Sequence, residues 1–309
     1  MKEPMSLTDL VAIDYPDTEL VTGGLAHQGS RILLGGDSGM GKSYVLLQLL
    51  FESAEGKPWL GIWPVRRPLR SLLVQTEVSE PLFQRRIKRW GSLPDGMFVL
   101  TQKEFLMIDE AGSVARFCDE HDIDIVGLDP LYQMHGGDEN STHTIRPAEQ
   151  AGDRIAGDKR ILIVVHHVNK VSQQTGQKPS LGWLRGASAW HNWIDTGFMV
   201  AGRRGEDSFE LHVVKARNRE ERMPNPLRLT WHKPGPYLVA EEMSESSKYA
   251  DVMEIVSSGP VTRKVASRRL ASVRGCSRAT AYRIIKEAVE RGLLEETAGQ
   301  LGLDSNEIG

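Results

Sequence analysis

The chain alternates short, almost unbroken apolar runs with longer stretches whose apolar residues recur every three or four positions. The runs lie at residues 32–34 (ILL), 71–76 (SLLVQT), 97–100 (MFVL), 123–129 (IDIVGLD), 161–165 (ILIVV), 196–201 (TGFMVA), 209–214 (FELHVV) and 227–231 (LRLTW). Runs of this length bounded by turn-forming residues suit buried strands. Between them, Val45, Leu46, Leu49 and Leu50 carry helical spacing, and residues 81–90, 109–121 and 148–155 also read as helices. Strands alternating with helices predict an α/β fold, a mostly parallel sheet with helices on both faces. Residues 18–29 read as a cap and turn feeding the first strand. Residues 58–70, with Trp59, Trp63, Pro64 and Pro68, read as a connecting loop. Residues 133–147 and 171–179 are polar and read as surface loops.

The pattern changes at residues 241–247 (EEMSESS), a polar stretch that reads as a linker. This divides the chain into a core, 1–243, and a small unit, 244–309. The small unit shows three helices, at 249–257, 262–272 and 277–291, with Ser277 as N-cap and Gly292 as C-cap of the third. The third helix has Ala281, Ile284, Ile285 and Val289 on one face, and residues 293–296 fit a short wing strand. The expectation is a winged helix-turn-helix.

The net charge of −3 gives no global nucleic-acid signal. Between Pro260 and Gly292, however, nine basic residues face two acidic ones, a local balance of +7. Arg278, Thr280, Tyr282 and Arg283 open the third helix, where a winged helix reads base edges or phosphates. Such modules also dock proteins, but the charge favours duplex DNA. The two cysteines, Cys118 and Cys276, are far apart, and no signal peptide is evident; this suits a reducing cytoplasm. No apolar run approaches the ~20 residues of a membrane span.

The densest chemistry follows the first strand. Gly36, Asp37, Ser38, Gly39, Met40, Gly41, Lys42 and Ser43 fit G-x-x-x-x-G-K-[ST], between an apolar run and a helix that begins near Tyr44. Glycines let backbone N–H groups curl around a phosphate. The helix N-terminus adds partial positive charge. Lys42 is expected to reach the β and γ phosphates of ATP, and the Ser43 hydroxyl to ligate Mg²⁺.

Three further strand ends carry polar residues. Asp129 fits a Walker B carboxylate for the metal, or else caps a turn. Glu77 fits a residue that orients or deprotonates the attacking water, or else belongs to the cap of the next helix. His166 and His167 would point to opposite faces if their strand continues, so one can face the γ phosphate; a plain structural donor is the alternative, and Cys/His spacing is wrong for zinc.

Several segments together resemble the RecA/DnaB branch of P-loop ATPases, and within it the RepA-type hexameric helicases of plasmids and phages. These are residues 72–79 (LLVQTEVS), 124–134 (DIVGLDPLYQM), 136–141 (GGDENS), 164–170 (VVHHVNK), 184–190 (LRGASAW) and 214–219 (VKARNR), within a span of about 18–240. The resemblance implies Glu77 as catalytic base, Asp129 on the metal and His167 as phosphate sensor. It implies that Lys215 and Arg217 reach a neighbouring subunit's ATP, with Arg185 a second candidate. The implied assembly is a homo-oligomer, a hexameric ring with single-stranded DNA in its channel.

In such motors the loops at 133–147 and 171–193 would face the channel. The second carries Lys178, Trp183, Arg185, Trp190 and Trp193, which suit stacking on single strands or, equally, packing on the body. Asp129, Asp138 and Glu139 make the first a poor electrostatic match for DNA. The function expected is an ATP-driven DNA motor in plasmid or phage replication. The rivals are an ATP-switched DNA-binding regulator and a recombination mediator, for which residues 1–17 are short.

Overall fold

The computed structural model describes residues 4–137, 142–168, 179–184, 187–202, 205–219, 223–232, 235–243, 245–274 and 277–303. Its centre is a nine-stranded sheet. The strands are β3 (Arg31–Gly36), β4 (Ser71–Gln75), β5 (Met97–Thr101), β6 (Ile125–Asp129), β7 (Ile161–His167), β8 (Thr196–Ala201), β9 (Ser208–Ala216), β10 (Leu227–Trp231) and β11 (Leu238–Glu242), in the order β11-β10-β9-β8-β3-β7-β6-β4-β5. The six strands from β8 to β5 run parallel; β9, β10 and β11 continue the sheet antiparallel.

Alternation along β3 builds both faces. Ile32 and Leu34 join the layer of α2 (Lys42–Ala54), while Leu33 joins the layer of α4 (Met107–Glu120) and α5 (Thr142–Ala156). Helix α2 buries every residue from Val45 to Phe51, as a helix covering the middle of a sheet must. The remaining core helices are α1 (Leu7–Ala12), α3 (Glu80–Lys88) and α6 (Ala187–Trp193).

The structure departs from the sequence reading in four places. Residues 18–29 form a hairpin, β1 (Glu19–Val21) with β2 (Ala26–His27), turned by Gly23 and Gly24 at positive φ. Helix α5 starts at Thr142 and runs through Pro147, five residues from its start; Ile145, Ala148, Ala151 and Ile155 anchor its apolar face. Strand β11 was hidden by its glutamates: on an edge strand they face water while Leu238 is buried. The first two residues of the stretch read as a linker are therefore strand, and its last three belong to α7 (Glu245–Ser257).

Beyond β11, α7, α8 (Arg263–Arg274) and α9 (Arg278–Glu290) share a separate apolar cluster with the three-stranded sheet of β12 (Val261–Thr262), β13 (Leu294–Thr297) and β14 (Gln300–Leu303), ordered β12-β14-β13. Ser277 caps α9, its hydroxyl accepting from Thr280 N. Among the described residues no helix is long and apolar enough to cross a membrane.

Candidate functional site

The parallel strands bring four polar ends to one level. Gly36 pairs with His167, and Gln75, two residues before Glu77, pairs with Asp129. Ligands bind beyond such strand ends in α/β sheets. A cleft of about 260 Å³ opens there, lined by Ser38, Gly39, Gly41, Lys42, Ser43, Tyr44, Glu77, Arg86, Asp129, Pro130, Val165, His167 and Trp231.

The loop geometry explains its residues. Gly41 precedes α2 at φ +83°, where a Cβ would also meet the Trp231 ring at 3.1 Å. At Gly36 a Cβ would press on Val200 at 2.9 Å and on the Lys42 side chain that crosses it. Asp37 turns inward to its own loop, accepting from Ser38 N at 2.8 Å. Met40 is buried in the core, so only its backbone belongs to the cradle.

Lys42 is 5% exposed. Its Nζ donates to Gly36 O at 2.9 Å and Asp37 O at 2.7 Å, and lies 3.4 Å from His167 Nδ1. Burial lowers its pKa to about 8, against the pull of Asp129, Asp37 and Glu77. Asp129 is likewise buried, and burial pushes its carboxyl up to about 6 even though the Ser43 hydroxyl hydrogen-bonds to it. A buried ammonium and a buried carboxylate that both lose water suit a site completed by a polyphosphate and a divalent cation. The Ser43–Asp129 pair fits Mg²⁺, which takes one or two protein oxygens and leaves the rest to phosphate and water. Among the described residues no group of three or more His, Cys, Asp or Glu could hold a metal ion.

Strand β7 continues through both histidines: His166 is fully buried beside Trp190, and His167 lines the cleft with Lys42. Two cleft residues, Arg86 and Trp231, and a third beside the cleft, Tyr132, escaped the sequence reading. Arg86 is one of several basics on α3, but it alone of them lines the cleft, with its guanidinium 5.0 Å from the Tyr44 ring centre. Trp231, at the end of β10, meets Tyr44 edge-on at 5.0 Å. Tyr132, in the 3₁₀ turn Leu131–Gln133, stands 4.9 Å from the His167 ring. Helical and strand periodicity marks faces, and cannot say which exposed residue of a face turns toward a neighbour.

The AAA domain family AAA_25 matches residues 3–173, more than half of the chain. The chain belongs to this AAA domain family. It carries a P-loop sequence and has a RecA-like fold, shared with a DnaB-like replicative helicase studied with primase (TM-score 0.56, 10% identity, 75% of this chain and 66% of that one). A KaiC-like protein from Pyrococcus horikoshii has the same fold (TM-score 0.51, 13% identity, 72% and 93%). The DNA repair protein RadA of Halalkalibacterium halodurans is 29% identical over 202 residues, 64% of this chain. The chain spans 38% of that relative's length.

Other residues singled out from the sequence lie away from this cleft. Lys215 and Arg217 sit at the opposite end of the sheet, where Lys215 pairs with Gly197 and Thr196 with Ile32. Lys215 Nζ donates to His191 O and Ile194 O, both at 2.7 Å, and Arg217 pairs with Asp195 at 2.7 Å. Trp183 and Trp190 are buried, 6% and 0% exposed, and Trp193 packs on the same core with its Nε1 donating to Asp153. Of the two readings considered for them, stacking on single strands or packing on the body, their burial favours packing. Arg185, Lys178, Asp138, Glu139 and Cys276 lie outside the described residues. Arg278, Tyr282 and Arg283 are exposed on α9, while Thr280 is half-buried with its hydroxyl 3.0 Å from Ser277 Oγ.

Proposed function

We propose that the chain hydrolyses ATP with Mg²⁺ to drive a DNA motor of the RepA/DnaB type, acting as a homo-oligomer in plasmid or phage replication. The observation that carries the hydrolytic part is the convergence of Lys42, Ser43, Asp129, Glu77 and His167 on one cleft. Lys42 and the loop amides hold the polyphosphate, and Ser43 and Asp129 hold Mg²⁺, which neutralises charge on the phosphoryl group being transferred. Glu77, outermost of the five, orients and deprotonates the attacking water. His167, beside Lys42, senses whether the terminal phosphate is present. Tyr44, Trp231 and Arg86 supply flat and cationic surfaces for the nucleotide's base.

DNA enters the proposal through the C-terminal unit, read as a winged helix over roughly 244–309. Lys264, Arg268, Arg269, Arg278 and Arg283 are all exposed there. The names of two similar proteins, a replicative helicase and a DNA repair protein, point the same way. Burial of Trp183 and Trp190 favours a second reading, an ATP-switched duplex-DNA binder that does not unwind.

Steady-state hydrolysis with no DNA, single strands or duplex separates the two. Strong stimulation by single strands, lost in Lys42→Ala, supports the motor. Hydrolysis indifferent to single strands, with duplex binding lost in Arg278→Ala/Arg283→Ala, supports the switch. Absence of hydrolysis at concentrations that permit assembly overturns both.

A further inference from the structure

Glu77 is held from the turn that follows Asp129. Thr76 Oγ1 donates to Gln133 Oε1 at 2.5 Å, Gln133 Nε2 donates to Tyr132 Oη at 2.8 Å, and the Tyr132 hydroxyl donates to Glu77 Oε1 at 3.4 Å. Thr76 adjoins Glu77 and Tyr132 adjoins Gln133, so four side chains close a ring between the end of β4 and the 3₁₀ turn. A backbone bond from Thr76 N to Asp129 O at 3.1 Å ties the same two segments.

The ring has a direction. A phenol has one hydrogen to give. Because the Gln133 amide donates to Tyr132, that hydrogen is available to Glu77. With the amide turned over, Tyr132 would donate to Gln133 instead and Glu77 would lose its donor. Each bond in such a chain polarises the next. The Tyr132 ring also meets the His167 ring at a tilt, centres 4.9 Å apart, so one residue contacts both the carboxylate and the histidine of the cleft.

We propose that Tyr132 is a positioning residue for hydrolysis: its hydroxyl, oriented by Gln133 and Thr76, fixes Glu77 through Oε1 and leaves Oε2 to the water. This rests on the reading of Glu77 as the base. Tyr132 is 38% exposed, so removing one oxygen leaves packing intact.

The test compares the full-length wild type with Tyr132→Phe, Gln133→Leu, the double variant and Glu77→Gln. ATP turnover is measured alongside affinity for a fluorescent ATP analogue. Tyr132→Phe is expected to lower kcat about tenfold, with KM, nucleotide affinity and unfolding midpoint unchanged. Gln133→Leu lowers kcat less, and the double variant falls no further than Tyr132→Phe, because the two act in series. A Tyr132→Phe enzyme within twofold of wild type, while Glu77→Gln is nearly inactive, overturns the positioning role alone. Multiplicative losses in the double variant also overturn it. Wild-type turnover in Glu77→Gln removes the parent reading, and the proposal with it.

Discussion

Lys42 carries a cost that ATP is expected to relieve, and this can be measured without turnover. In the free protein its ammonium is 5% exposed, and burial takes its pKa from 10.5 to about 8. That change corresponds to roughly 3 kcal/mol of destabilisation of the folded state at neutral pH. Lys42→Met keeps the volume and removes the charge. It also strips the carbonyls of Gly36 and Asp37 of a donor, at about 1 kcal/mol each. The net expectation is a variant about 1 kcal/mol more stable than wild type in urea unfolding at pH 7 without nucleotide.

The pH dependence has a definite sign. Between about 8 and 10.5 the unfolded lysine keeps its proton while the folded one has lost it. The unfolded state then binds more protons, so wild-type stability climbs through that window. The advantage of Lys42→Met is therefore full below about pH 8, gone within about one pH unit above it, and reversed to about 2 kcal/mol in favour of wild type by 10.5. Saturating ATP with Mg²⁺, at about a hundred times Kd, adds about 2.7 kcal/mol to wild type and nothing to the variant. A variant that is less stable at pH 7, with no trend against wild type as pH rises, would refute the argument: Lys42 would then be held by its carbonyl contacts, and not strained in wait for a phosphate.

Three other outcomes are expected. Glu77→Gln should keep nucleotide affinity and lower kcat by about 10²–10⁴, read in single-turnover hydrolysis. Trp190→Ala should cost about 3–5 kcal/mol in chemical denaturation, because a fully buried indole leaves a cavity; an unchanged stability with lost DNA affinity would restore the stacking role. Arg278→Ala and Arg283→Ala should each weaken duplex binding and reduce the slope of log affinity against log salt by about 0.9.

The strands and the phosphate loop were legible because buried parallel strands leave long apolar runs and the loop needs glycines at fixed spacing. Strand β11 was not, since Glu241 and Glu242 on an exposed edge cost nothing and look like a linker. Helix α5 was read late because Pro147 suggests a boundary; it lies inside the helix and forfeits one intrahelical hydrogen bond, a local cost set against the buried face of Ile145, Ala148, Ala151 and Ile155. The tryptophans after β7 illustrate a different limit. Trp183, Trp190 and Trp193 have the same spacing whether they stack on a base or on Val168 and Ile194, and only the packed core decides. Tyr132 and Gln133 were quoted as part of a motif, but a relay to Glu77 depends on two strand ends meeting side by side, which no local pattern encodes.

The sheet itself bears on whether one chain is a complete enzyme. Arg217 N bonds Asp195 O, level with Arg31, while the phosphate loop leaves β3 at Gly36. Five residues of strand separate them, roughly 16 Å, more than an arginine side chain spans. Arg217 therefore cannot reach the nucleotide of its own chain. Either it serves another chain's cleft, or its bonds to Asp195 and Asn192 O simply close the end of α6. Mixing decides between these. Lys42→Ala has a dead cleft and an intact Arg217; Arg217→Ala has the reverse. If the arginine acts across an interface, each alone is inactive, and in an equal mixture about a quarter of the interfaces join the two intact halves and recover turnover. If Arg217 only closes the helix, mixing restores nothing, Arg217→Ala hydrolyses ATP in proportion to its folded fraction, and its unfolding midpoint falls instead.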